Sequence, residues 1–335
     1  MRRKSTLHKV AVIGSNSFSG AHFVDYLLGH SDCEIIGVSR PPRKNTIFLP
    51  YDKRNSDRFS LYLMDLNENL SEIISLFDKE KPDVIVNYVA QGEVSSSWRS
   101  PEQWFKTNCI GVVALANRLK DRTYLERYVH ISTPEVYGSC EKPMAESMTY
   151  NPSTPYAASK AAGDLFLFVL FKSLGFPLVM IRSSNVYGAH QQLYRIIPRS
   201  IIYMRKGIKV SLQGGGYATR TFIHIRDACD GVYKAIEKGN LGEIYHLSSG
   251  DVHMVRDVVG MISVKMGLDF EQVTEIEEKR LGQDAQYLID STKARSELGW
   301  TPRISLDEGL DGVIEWVNRD WETIIHQPLE YIYRP

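Results

Sequence analysis

Apolar residues recur along the first half of this chain in short runs of strand length, separated by stretches with the spacing of helices. The pattern predicts strands at residues 10–13, 34–38, 60–64, 84–89, 128–132 and 178–181. It predicts long helices over residues 101–119 and 155–174, the second with an apolar stripe of Leu165, Phe166, Phe168 and Val169. Strand and helix in alternation imply an α/β fold built on a doubly wound parallel sheet. Beyond Asn185 the pattern turns irregular, with Gly214-Gly215-Gly216 as a loop and amphipathic helices at 253–266 and 305–319. Residues 221–247 read as a helix and a strand returning to the sheet. The division expected is a dinucleotide-binding part, residues 1–185 plus 221–248, interleaved with a smaller substrate lobe, residues 186–220 plus 249–335.

The first strand runs into Gly14-Ser15-Asn16-Ser17-Phe18-Ser19-Gly20 and then into a helical pattern, the order of a Rossmann-type dinucleotide site. Gly14 permits the tight turn, Gly20 lets helix and strand pack closely, and the helix N-terminus presents free N–H groups to a pyrophosphate. The middle glycine of the usual fingerprint is Ser17, which alters the approach of the phosphates.

At 335 residues and 43% hydrophobic, the chain has enough apolar material for a large core. Its formal net charge is zero and no basic face interleaves with aromatics, which argues against nucleic acid as a partner. No stretch approaches the roughly 20 apolar residues of a membrane span, and the N-terminal Met1-Arg2-Arg3-Lys4 is too short to be more than a tail, so a cytoplasmic enzyme is expected. Cys33, Cys109, Cys140 and Cys229 show neither CxxC pairing nor metal-ligand spacing, which predicts reduced thiols and no metal site.

Tyr156 and Lys160 stand four residues apart, on one face of a helix, 23 residues after the start of the turn segment Thr133-Pro134-Glu135-Val136-Tyr137-Gly138. A nearby ammonium lowers the pKa of a phenol, so Tyr156 can act as the base that takes the proton of a secondary alcohol while its carbon-bound hydrogen leaves as hydride. Thr133 shares the hydrogen bonds to that hydroxyl. By itself the Tyr and Lys pair reads equally as a half-buried tyrosine packed beside a snorkelling lysine. The glycine-bearing turn at the other end of the nucleotide half favours the catalytic reading.

Taken with Asp65-Leu66, Asn87-Tyr88-Val89-Ala90-Gln91, Thr107-Asn108, Asn185-Val186-Tyr187-Gly188, Arg220-Thr221-Phe222-Ile223-His224 and Glu297-Leu298-Gly299-Trp300, these blocks resemble the extended short-chain dehydrogenase/reductases of the nucleotide-sugar 4,6-dehydratase group. The resemblance spans nearly the whole chain. It implies oxidation of a sugar at C4, removal of the C5 proton by Glu135, loss of the C6 hydroxyl as water and return of the hydride to C6. It also implies a homodimer formed through the helices that begin at Pro101 and Pro155. Asp65 and Leu66 would contact the adenine side, Lys160 the nicotinamide ribose, and Asn185, Arg220 and Arg280 the nucleotide-diphosphate sugar.

The sequence departs from that group at Pro134, where an aspartate or a serine is usual and where proline has no proton to give. Glu135 then serves as both base and acid, or the leaving group is assisted elsewhere, or the reaction stops after oxidation. A C4 epimerase, a decarboxylase or a C4 oxidase of the same family therefore stay open, as does a non-catalytic dinucleotide sensor. Glu93 stands where the group often has histidine and reads as a substrate contact or a surface residue. After the second strand, Ser39-Arg40-Pro41-Pro42-Arg43-Lys44 carries no carboxylate for a ribose 2′-hydroxyl, and its cations suit a 2′-phosphate, so NADP is expected ahead of NAD.

Overall fold

A computed structural model describes residues 7–140, 142–278 and 287–332. Arg280 and the N-terminal Met1–Lys4 lie outside the described residues. Seven strands form one parallel sheet: β1 (Lys9–Ile13), β2 (Glu34–Ser39), β3 (Phe59–Leu63), β4 (Val84–Asn87), β5 (Arg127–Ile131), β6 (Leu178–Ser183) and, far along the chain, β10 (Ile244–Leu247). Their order is β10-β6-β5-β4-β1-β2-β3. The chain therefore builds outward from β1 to β3 and then restarts on the other side with β4. The crevice between β1 and β4 is the switch point at which such sheets bind ligands.

Alternate strand residues feed two cores. Val10, Val12, Val84 and Val86 face α1 (Phe18–His30), whereas Ala11, Ile13 and Ile85 face α2 (Leu70–Glu80) and their neighbours. The predicted fourth strand stops two residues early, because at Tyr88 the chain has already turned into the loop over Gly14. The predicted helix over 101–119 is present but not uniform: α3 (Pro101–Phe105) passes through a π-turn, Lys106–Gly111, into α4 (Val112–Leu119). α5 spans Pro155–Leu174, with Pro155 in its first turn, Thr154 capping Ala157 N and Gly175 in the left-handed conformation behind it.

The region read as irregular is ordered. It contains β7 (Asn185–Tyr187), α6 (Ile196–Arg205), β8 (Val210–Gln213), β9 (Thr219–His224) and α7 (Ile225–Lys238), with a short helical turn at Gly214–Gly216. After β10 follow β11 (Val252–Met254), α8 (Val255–Lys265), α9 (Phe270–Val273), β12 (Thr274–Glu277), α10 (Thr292–Leu298), α11 (Leu306–Arg319) and α12 (Trp321–Ile324). β7, β9 and β11 make one small sheet, and β8 and β12 another. A third core, around Ile197, Ile201, Val258, Ile262, Val313 and Trp316, joins α6, α8 and α11. A cavity of about 710 Å³ lies between this core and the carboxyl ends of β1, β4, β5 and β6.

Candidate active site

Gly14 adopts φ +85°, and a Cβ there would press on the backbone of Tyr88 and Val89 at 3.1 Å. At Gly20 a Cβ would lie 2.2 Å from the Gly14 carbonyl oxygen, so only glycine lets α1 approach the turn. Ser17, in place of the middle glycine, is the N-cap of α1: its hydroxyl accepts from Gly20 N at 3.1 Å. That bond uses the hydroxyl as acceptor, which leaves its O–H to donate to a phosphate alongside the backbone N–H groups of the turn. Ser17, Phe18 and Ser19 line the cavity, whereas Gly14, Gly20, Arg40, Asp65 and Leu66 are not among its lining residues. The Asp65 carboxylate accepts from Asn67 N at 2.8 Å, and Leu66 packs in the core. Arg43 is ion-paired with Asp52.

Thr133, Glu135, Tyr156 and Lys160 come together on one wall. Thr133 caps the short helical turn Pro134–Tyr137 by accepting from Glu135 N at 3.3 Å, which fixes the Glu135 backbone beside it. Its hydroxyl also bonds the Tyr156 phenol. Burial pushes the phenol well above its ordinary pKa and the Glu135 charge adds to this, while the Thr133 bond and the Arg195 charge oppose it.

Lys160 has further partners beside Tyr156. The spacing sets both on one face of α5, and the Lys160 ammonium donates to the Ile131 carbonyl at 2.8 Å and lies 3.3 Å from His130 Nε2. Lys160 is 1% exposed, and burial pulls its pKa down to about 8 even though Asp164 acts to hold the proton. Asp164 in turn accepts from Ser132 Oγ at 2.5 Å and from Arg182 Nη2 at 2.9 Å, forming a buried cluster beneath the cavity. An ammonium has three donors, so beyond those on Ile131 and His130 one remains for a ribose hydroxyl.

Two further residues brace the wall. Asn108, in the π-turn, accepts from Gln91 N at 2.9 Å and donates to Gln91 O and Ser159 Oγ, each at 3.0 Å. It ties the loop after β4 to the helix that carries Tyr156. Glu93 lines the cavity, but its carboxylate caps the turn at Ser95–Trp98, accepting from Ser95 N, Ser95 Oγ and Ser96 N. Burial raises its pKa, yet those bonds outweigh it and hold the group below the usual range.

Across from this wall Asn185 accepts from Tyr287 Oη at 2.9 Å, the Arg220 guanidinium lies 4.7 Å over the Tyr287 ring, and the Glu135 charge is felt by the Tyr287 phenol. Asn185 therefore positions Tyr287. Arg195, at the N-terminus of α6, lines the cavity with its charge close to both Glu135 and Tyr156. Nothing in the sequence singles out Arg195, because it belongs to none of the motif blocks. The cavity holds Arg99, Lys160, Arg195, Arg199 and Arg220 against Glu93, Glu135 and Glu330, an excess of cations that suits a diphosphate. Among the described residues no group of three or more His, Cys, Asp or Glu is arranged to hold a metal, and no helix is long and apolar enough to cross a membrane.

A family model described as GDP-mannose 4,6 dehydratase matches residues 12–313. The dTDP-glucose 4,6-dehydratase of Streptomyces niveus is 34% identical over 251 residues, 74% of this chain and 74% of that protein. The Escherichia coli dTDP-glucose 4,6-dehydratase is 26% identical over 344 residues, 93% of this chain and 95% of that one. Among solved structures, a dTDP-glucose 4,6-dehydratase from Streptomyces venezuelae with NAD bound superposes with a TM-score of 0.86 at 29% identity, covering 94% of this chain and 98% of the other.

Proposed function

The chain belongs to the GDP-mannose 4,6 dehydratase family, and from that premise we propose that it is a nucleotide-diphosphate-sugar 4,6-dehydratase, converting a hexose to its 4-keto-6-deoxy form. The observation that carries the reading is the wall of Thr133, Glu135 and Tyr156 facing one cavity, with Lys160 beneath it. Incubation with GDP-, dTDP-, UDP- and CDP-hexoses, followed by mass spectrometry, tests it. Loss of one water from one substrate is expected. An isomer of unchanged mass would instead make the chain an epimerase, and loss of two hydrogens alone an oxidase.

The glycine cradle at Gly14 and Gly20, the capped start of α1 and the ammonium of Lys160 fit a nicotinamide dinucleotide. When bound, that cofactor supplies the acceptor for the C4 hydride and returns it at C6. Tyr156 removes the C4 hydroxyl proton, with Thr133 holding the same oxygen. The resulting ketone acidifies C5, whose proton passes to Glu135. Because Pro134 offers no proton, Glu135 also delivers it to the departing C6 oxygen. Asp65 and Leu66 border the adenine side, while Arg220 and, outside the described residues, Arg280 serve the diphosphate.

We assign NAD rather than NADP. Arg43, one of the cations that favoured NADP, is already paired with Asp52, and the Streptomyces venezuelae enzyme holds NAD. Fluorescence titration with each cofactor checks this, and tighter binding of NADP would refute it. We also propose the two-part division, residues 1–185 plus 221–248 for the dinucleotide and the remainder for the substrate, and a homodimer. The dimer is supported by exposed Phe105 and Ile110 beside Leu165 and Val169 on α5.

A further inference from the structure

On the dehydratase reading, the elimination has a base but lacks a separate group to draw off the C6 oxygen. Pro134 is buried at the head of its helical turn and contributes no donor. Three polar side chains on or facing this wall already have partners. Thr133 bonds Tyr156, Tyr287 donates to Asn185, and Ser132 donates to Asp164. Arg195 differs. It lines the cavity with Glu135 and Tyr156, and its guanidinium lies 5.3 Å over the Tyr194 ring. Its Nη2 bond to the Gly92 carbonyl is a long 3.4 Å. A guanidinium carries five N–H donors in a fixed fork, so most of its capacity points elsewhere than that carbonyl. Arg220, another of the cavity's cations, is stacked on the Tyr287 ring.

We propose that Arg195 is a catalytic residue of the elimination, donating hydrogen bonds to the C6 oxygen as the C6–O bond breaks. Glu135 takes the C5 proton, and the C5–H electron pair becomes the C5–C6 double bond. The C6–O pair leaves with the oxygen, and the same proton passes from Glu135 to that oxygen, releasing one water. Arg195 keeps its own protons throughout, since guanidinium is not deprotonated in proteins, and acts by stabilising charge that exists only in the transition state. The base and the electrophile are thereby divided between a carboxylate and a cation.

The test compares the full chain with Arg195→Lys and Arg195→Gln in single turnovers on the sugar that the product screen identifies. For Arg195→Gln, formation of the 4-keto hexose and exchange of its C5 hydrogen with deuterated solvent should continue. Water loss should fall by about 10²–10³-fold, the usual cost of removing one preorganised donor, so the 4-keto hexose accumulates. Arg195→Lys should recover part of the rate. Adding Pro134→Asp to Arg195→Gln should also restore water loss, by supplying a donor from the other side. Equal slowing of oxidation and elimination, or a raised KM with kcat intact, would reduce Arg195 to a binding group and overturn the proposal. Should the unsubstituted chain lose no water from any sugar, the dehydratase reading itself fails. If it dehydrates and Arg195→Gln dehydrates as fast, only the role of Arg195 fails.

Discussion

Replacing Lys160 with methionine should make the protein more stable while abolishing its chemistry. An unconstrained lysine keeps its proton up to pH 10.5, but burial leaves Lys160 holding it only to about 8. At about 1.4 kcal/mol per factor of ten, keeping this ammonium charged inside the folded chain costs about 3 kcal/mol. Below pH 8 both folded and unfolded chains are protonated there and the whole cost is present. Between about 8 and 10.5 the folded chain has released a proton that the unfolded chain still holds, so stability rises with pH; above 10.5 the cost is gone. Methionine fills similar space without the charge and forfeits the bond to the Ile131 carbonyl, worth about 1 kcal/mol, so the net gain at pH 7 should be about 2 kcal/mol. Urea denaturation of both proteins from pH 7 to 10.5 measures this as a difference, in which other titrating groups cancel. The variant's advantage should hold to about pH 8, then shrink, cross zero at about pH 9.5 and become a deficit of about 1 kcal/mol by pH 10.5, when only the forfeited bond is left. A Lys160→Met protein that is less stable at pH 7, or an advantage that does not change with pH, would refute the reasoning.

Glu135→Gln should still oxidise the sugar at C4 but lose water about 10²–10⁴-fold more slowly, visible as a bound reduced cofactor that persists in stopped-flow absorbance. Gly163→Ala would set a methyl 2.5 Å from the Asn108 carbonyl oxygen, so α5 and the π-turn must separate; a loss of about 1–3 kcal/mol is expected by thermal denaturation. Asp227→Ala strips two half-buried backbone N–H groups, Arg303 N and Ile304 N, of the carboxylate each reaches at 3.0 Å, and should cost roughly 1–3 kcal/mol in urea. Val169→Asp, on the exposed apolar face of α5, should yield a monomeric mass by light scattering if that face is the dimer contact.

The parallel sheet was legible because its strands are continuous apolar runs, which only a sheet covered on both faces requires. The bounds of α5 were legible to the residue, since proline and glycine punctuate both ends. The π-turn was not, because one surplus residue in a helix leaves no mark in composition. The spacing of Tyr156 and Lys160 gave their common face but not their depth. A lysine side chain is long enough to reach a neighbouring element, and here it bonds the Ile131 carbonyl of β5. Arg195 was invisible for another reason: it enters the site from α6, about forty residues along the chain from the motif it serves, and only folding brings the two together.

The surplus residue between α3 and α4 has a consequence for how this chain can change over generations. Each residue turns a helix by about 100°, so losing one between Lys106 and Gly111 would restore regular helix at the expense of swinging everything ahead of it around the axis. Trp104, wholly enclosed at present, would be carried toward solvent, and Asn108 would let go of Gln91 and Ser159. Were the chain on one side of the lost residue unpacked, it could absorb that rotation. This helix is committed on both sides of the turn, so its length is inherited as a fixed quantity while the identity of its exposed residues drifts.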